Sequence, residues 1–179
     1  SYSIAGRQGN TLAYITPDMG GFQAAAVLVA RDGAGVDLGD TGDDADAYNL
    51  AAHFSAGGFS VGLSTLMYQG AIDENYTSVA ASYTMGDLYV AAEATSDSVS
   101  KKVDASINDD VDTFEVAGSY ALGDVKLLAN FVSFDKGEQV GLEAQYKLGA
   151  KSRVAATVVT ADDDAPVSDS VAVSWRVDF

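Results

Sequence analysis

A two-residue period runs through almost the whole chain and limits what it can fold into. At the C-terminal end Val171, Val173, Trp175, Val177 and Phe179 alternate with Ala172, Ser174, Arg176 and Asp178. In an extended strand successive side chains point to opposite faces, so this stretch has one greasy face and one small or polar face. Val140, Leu142, Ala144, Tyr146 and Leu148 repeat the pattern against Gly141, Glu143, Gln145 and Lys147. Phe114, Val116, Gly118, Tyr120 and Leu122 do the same against Glu115, Ala117, Ser119 and Ala121, as do Tyr48, Leu50, Ala52 and Phe54 against Asn49, Ala51, His53 and Ser55. About eleven such segments can be counted, each near the ~10 residues that a tilted membrane-crossing strand needs. The Ala-rich pieces at 24–30 and 90–94 favour helix locally, but their flanks keep the alternation.

The breaks between segments alternate as well. Short ones fall at 18–21, 56–58, 85–87, 122–124 and 148–151, each with a Gly suited to a tight turn. Between them lie mostly longer polar links beginning at Arg31, Gln69, Ser96, Phe134 and Ala161, and these hold most of the acid. Tyr14, Phe22, Phe54, Phe59, Tyr83, Tyr120, Tyr146 and Phe179 gather near the tight-turn side, where a girdle of amphipathic rings would meet a membrane interface. Short turns on one side and long loops on the other predict an all-β fold, an antiparallel transmembrane β-barrel.

Composition removes other classes. With 47% hydrophobic residues among 179, the chain is too apolar for a disordered acidic tail, despite a net charge of -16. Ten basic residues against 26 acidic ones argue against a nucleic-acid partner, and divalent cations are better candidates. The longest apolar run, 24–30, is far short of the ~18 residues of a membrane helix. There is no Cys, so no disulfide or thiolate site. The one histidine, His53, reads as a polar residue of the wall, and no enzyme is expected. "GDTGDDADA", 39–47, is loosely spaced like a calcium loop but lacks the bidentate Glu, and no metal site or cofactor is expected. The chain opens at Ser1 without a cleavage pattern, and a mature or partial sequence is the expectation.

Two stretches carry a family resemblance. The terminal strand closing on Phe179 resembles the last strand of Gram-negative outer-membrane proteins, which serves as the signal for the barrel-assembly machinery; Trp175, Val177 and Phe179 would form that signal. "GRQGNTLAYITPDMGGFQAAAVL", 6–28, is similar to the segment that leaves the constriction loop of general diffusion porins, with Ala13 and Ile15 where polar residues are common. The resemblance to trimeric porins covers the whole chain as pattern, making 1–179 a single porin β-barrel domain. A sixteen-stranded family barrel would place about five strands and most of the constriction loop before Ser1, or on a second chain.

The resemblance implies an outer-membrane location, a homotrimer, contacts with outer-membrane lipid and lipopolysaccharide, and passive diffusion of small hydrophilic solutes and ions. By alternation Lys126, Lys147, Arg153 and Arg176 project into the lumen near the tight turns as a basic arc, while Glu93, Glu115 and Glu143 project inward nearer mid-strand. With the acidic loops these predict a modest cation preference. Arg7 stands at the constriction by the motif match. Two alternatives stay open: a substrate-specific outer-membrane channel, and a soluble lipocalin-like barrel whose apolar faces would point inward to a ligand.

Overall fold

The computed structural model describes residues 11–30, 45–69, 73–103, 110–165 and 167–177. Eleven strands follow one another: β1 (Thr11–Ile15), β2 (Phe22–Ala30), β3 (Ala45–Ala56), β4 (Phe59–Tyr68), β5 (Asn75–Met85), β6 (Leu88–Asp97), β7 (Val111–Leu122), β8 (Val125–Phe134), β9 (Glu138–Gly149), β10 (Ser152–Ala161) and β11 (Ser170–Val177). They form one antiparallel sheet in sequence order, each strand beside its predecessor. Such an order needs only local connections, and the expected turns supply them. Gly57 and Gly58 join β3 to β4, Gly86 and Asp87 join β5 to β6, Gly123 and Asp124 join β7 to β8, and Ala150 and Lys151 join β9 to β10.

The β1–β2 turn shows why its glycines are required. Asp18 Oδ1 accepts from the amides of Gly20 and Gly21 at 3.0 and 3.1 Å, folding the chain back on itself. Gly21 then sits at φ +94°, and a Cβ there would lie 2.1 Å from the Ser55 carbonyl oxygen. That close approach lets Ser55 N donate to Gly21 O at 2.9 Å, tying the turn to the end of β3.

On the other side the links are longer. One contains a short helix, α1 (Ser100–Val103), which the period-two reading did not anticipate. Its cause is local: Asp97 Oδ1 accepts from the amides of Val99 and Ser100 at 2.8 and 3.0 Å, capping the first turn.

The chain divides into two compact units, 1–80 with 95–112 and 81–94 with 113–179, and the division runs through β5, β6 and β7. In the first, register pairs Tyr14 with Ala26, Ala26 with Leu50, and Leu50 with Thr65, so these share one face; Ala25, Ala51 and Ser64 share the other. In the second, Leu142 pairs with Ala129 and Val158 on one face, while Glu143 pairs with Leu128 and Thr157 on the other.

Burial runs opposite to that of a water-soluble protein. Every buried hydrophobic residue among those described (Ala25, Val29, Ala47, Ala51, Leu66, Val132 and Ala155) lies on the face that carries the polar residues. The apolar face is the exposed one in both units: Leu50 is 49% exposed, Leu142 54% and Val173 81%. A contiguous greasy surface of this kind is stable against hydrocarbon and not against water. Seven of the eight aromatics assigned to the tight-turn girdle are exposed on it; the eighth, Phe179, lies outside the described residues. Trp175 is on the same face, its indole Nε1 donating to Ser152 Oγ at 2.7 Å, a polar tip on an apolar ring.

Candidate functional site

The polar face of β6 to β11 gathers the charges that the alternation had sorted inward. Lys147 pairs with Arg153, and Arg153 with Arg176, so three cations from β9, β10 and β11 stand in one cross-strand row. Lys126 of β8 pairs with Gln145, two residues from Lys147 along β9, and extends the row. Like charges directly opposite one another repel, and such a row persists where water or a counter-ion screens it. The side-chain ammonium groups of Lys126 and Lys147 make no hydrogen bond or ion pair with a described residue.

The carboxylates stand farther from the tight turns. Glu143 is held from two sides: Thr157 Oγ1 donates to its Oε2 at 2.7 Å from β10, and Gln145 Nε2 donates to its Oε1 along β9. Glu115 Oε1 accepts from Asn130 Nδ2 at 3.3 Å. Counting along both strands from the hydrogen bond between Ala121 N and Asp87 O reaches Glu93 and Glu115 together, so these two acids are level on β6 and β7.

Gly141 makes this arrangement possible. It pairs with Asn130, and a Cβ on it would lie 2.2 Å from Asn130 Oδ1. The missing side chain is the space that Asn130 occupies while it reaches Glu115. The alternation places Gly141 on this face, but its partner is fixed only by the β8–β9 register.

The first unit has a less charged polar face. His53 Nε2 shares a 2.7 Å hydrogen bond with Ser60 Oγ, beside Gly62 across β4, which agrees with a polar wall residue. Asn49 is 8% exposed and donates to Ser64 Oγ and to the Thr65 carbonyl, both at 3.2 Å. Ala13 and Ile15 pair with Val27 and Ala25, leaving that corner apolar as the sequence suggested.

At the long-loop side Lys101 of α1 forms ion pairs with Glu74 and with Asp110, joining the β4–β5 and β6–β7 links within the first unit. The hydrogen bond from Lys101 is the main reason that the Asp110 carboxyl is held below its ordinary value. Other loop acids serve the backbone: Asp162 Oδ2 accepts from Glu138 N at 3.0 Å, and Asp169 Oδ1 from Ala161 N at 2.9 Å. Arg7, the Asp-rich stretch 32–44, Asp109 and Phe179 lie outside the described residues.

The family model for Gram-negative porins matches residues 1–173. No curated protein is detectably similar in sequence. Among solved structures, a variant of the Rh. blastica porin is similar at 20% identity with a TM-score of 0.64, over 95% of this chain and 56% of its own. The anion-selective porin from Comamonas acidovorans is similar at 17% identity and a TM-score of 0.61, over 94% of this chain and 55% of its own. A loop-deletion variant of OmpT, an outer membrane protein of Vibrio cholerae, is similar at 18% identity and a TM-score of 0.60, over 93% and 62%. At these identities the likeness is one of fold, and the chain spans little more than half the length of these structures.

Proposed function

This chain belongs to the Gram-negative porin family, whose members reside in the bacterial outer membrane, and on that premise we propose that it walls a water-filled channel for passive diffusion of small hydrophilic solutes and ions. One observation carries the reading: in both units the exposed face is apolar and the opposite face is polar, and in the second unit that polar face is charged. Lipid suits the first face and a water-filled lumen the second. A lipocalin-like barrel would need the reverse, its apolar faces turned in on a ligand.

In this reading Glu93, Glu115 and Glu143 and the row of Lys126, Lys147, Arg153 and Arg176 line the pore, with Arg7 at the constriction. A net charge of -16 and the fixed carboxylates favour cations, and the basic row opposes them, so the preference is modest and shrinks as salt screens it. The Comamonas acidovorans porin, similar in fold, is anion-selective, so the fold alone does not make a pore prefer cations. The assembled pore is a homotrimer in contact with lipopolysaccharide, and Trp175, Val177 and Phe179 form its assembly signal. No catalytic step and no cofactor enter this function.

The test is reconstitution of the complete protein. Liposome swelling should show uptake of neutral sugars with a smooth size cut-off. Reversal potentials in a potassium chloride gradient should report a weak cation preference that Glu115→Gln with Glu143→Gln moves toward anions. Absence of sugar uptake would overturn the channel reading. An anion-selective parent, or no shift in the double variant, would overturn the assignment of these carboxylates to the pore.

A further inference from the structure

Resting on the channel reading, we propose that the polar face of β8 to β10 holds a binding subsite for zwitterionic solutes of the amino-acid class, with the ammonium on Glu143 and the carboxylate on Lys126.

A groove of about 350 Å³ lies here, with Glu115, Glu143, Lys126, Ser119, Asn130 and Thr157 among its lining residues. Pockets that fix a small solute place a few convergent polar groups around such a volume. Lys126 pairs with Gln145, so it is diagonal to Glu143, at a Cα separation of about 7–8 Å. An acid and a base on one wall at that spacing would ordinarily swing together. Here the acid is held away: Thr157, on the opposite side of β9 from Lys126, takes one oxygen of Glu143, and Gln145 takes the other. Glu115 is fixed in turn by Asn130, which stands in the space over Gly141. The Glu143 carboxylate is thereby oriented by two neutral donors, with the charge of Arg153 acting on it from β10, and keeps further lone pairs for a cation. Lys126, without a described partner, offers three donors to an anion, and Lys147 and Arg153 lie one row beyond it. A solute bearing both charges can satisfy both ends at once, whereas a singly charged solute meets one attracting and one repelling end.

The experiment uses the complete pore in planar bilayers, with 4-aminobutyrate as probe against three solutes of similar size: butylammonium, butyrate and the neutral butyramide. Neutral-sugar uptake by liposomes is measured beside it. The expected result is that 4-aminobutyrate lowers the open-channel current in a saturable way, with affinity about tenfold above that of either singly charged solute, and butyramide has no effect. Lys126→Met and Glu143→Gln should each weaken the 4-aminobutyrate effect about tenfold. Sugar uptake by each variant checks that it has folded. Butyrate acting as strongly as 4-aminobutyrate would overturn the subsite in favour of a plain basic row. So would 4-aminobutyrate behaving like butyramide in a pore that still passes sugars. Failure of sugar uptake by the parent would instead remove the channel reading on which the subsite rests.

Discussion

Replacing Leu142 by Arg should separate a lipid-facing strand from a water-facing one. Leu142 shares its face with Ala129 and Val158 and is more than half exposed. Along β9 it lies between Val140, which pairs with Phe131, and Tyr146, an aromatic of the tight-turn girdle, so it falls near the middle of the apolar band. An arginine at the midplane of a membrane barrel costs roughly 2–4 kcal/mol, a drop of about thirty-fold to several hundred-fold in the folding equilibrium. Gln139, on the opposite face of the same strand and paired with Val132 and Ala161, is the control. Gln139→Arg keeps its charge in water and should stay within about 0.5 kcal/mol of the parent. The assay is chemical denaturation of the complete porin refolded into lipid vesicles. Equal losses at the two positions would refute the assignment of faces, and so would a Leu142→Arg protein that folds without lipid or detergent.

Other expectations concern single contacts. Gly21→Ala places a Cβ against the Ser55 carbonyl at a φ of +94°, and should cost roughly 1–3 kcal/mol in the same denaturation assay, whereas Gly20, with open space around it, should tolerate Ala better. Gly141→Ala should expel Asn130 from Glu115 at a cost of about 0.5–1.5 kcal/mol. That loss should largely vanish in an Asn130→Ala background, as a double-mutant cycle would show. For Asp110 the folded value lies below the unfolded one, so its tie to Lys101 is fully present above about pH 3.9. It is lost only as pH falls through the lowered folded value. Carbonyl chemical shifts of Asp110 should therefore titrate below the ordinary carboxylate range, and Lys101→Ala should return them to it.

Strand positions were legible because a half-buried strand must alternate, and the alternation at 114–122 and 140–148 survives in the register of β7, β8 and β9. The turns were legible because Gly at 57–58, 86 and 123 supplies positive φ where two strands reverse. The cross-strand row of Lys147, Arg153 and Arg176 could be anticipated as a set of cations on one face, since face follows from parity alone. The long-range partners could not. The match of Gly141 to Asn130 depends on the offset between β8 and β9, and parity leaves that offset free. The clasp of Lys101 on Glu74 and Asp110 joins two links that no periodicity governs. α1 arose from one side chain, Asp97, capping a turn too short to leave a helical pattern.

The central claim is that one face of each strand meets lipid and the other meets water, and the absence of cysteine from the chain makes a direct measurement possible. Single cysteines introduced along β9 of the complete protein in lipid bilayers, at Gln139, Val140, Leu142, Glu143, Ala144, Gln145, Tyr146 and Lys147, can each carry a nitroxide. Relaxation by oxygen, which concentrates in lipid, is then compared with relaxation by a water-soluble nickel chelate. The account predicts a strict two-residue alternation: oxygen dominates at Val140, Leu142, Ala144 and Tyr146, and the nickel chelate at Gln139, Glu143, Gln145 and Lys147. Nickel-chelate access at the first set, or equal access at both, would contradict it.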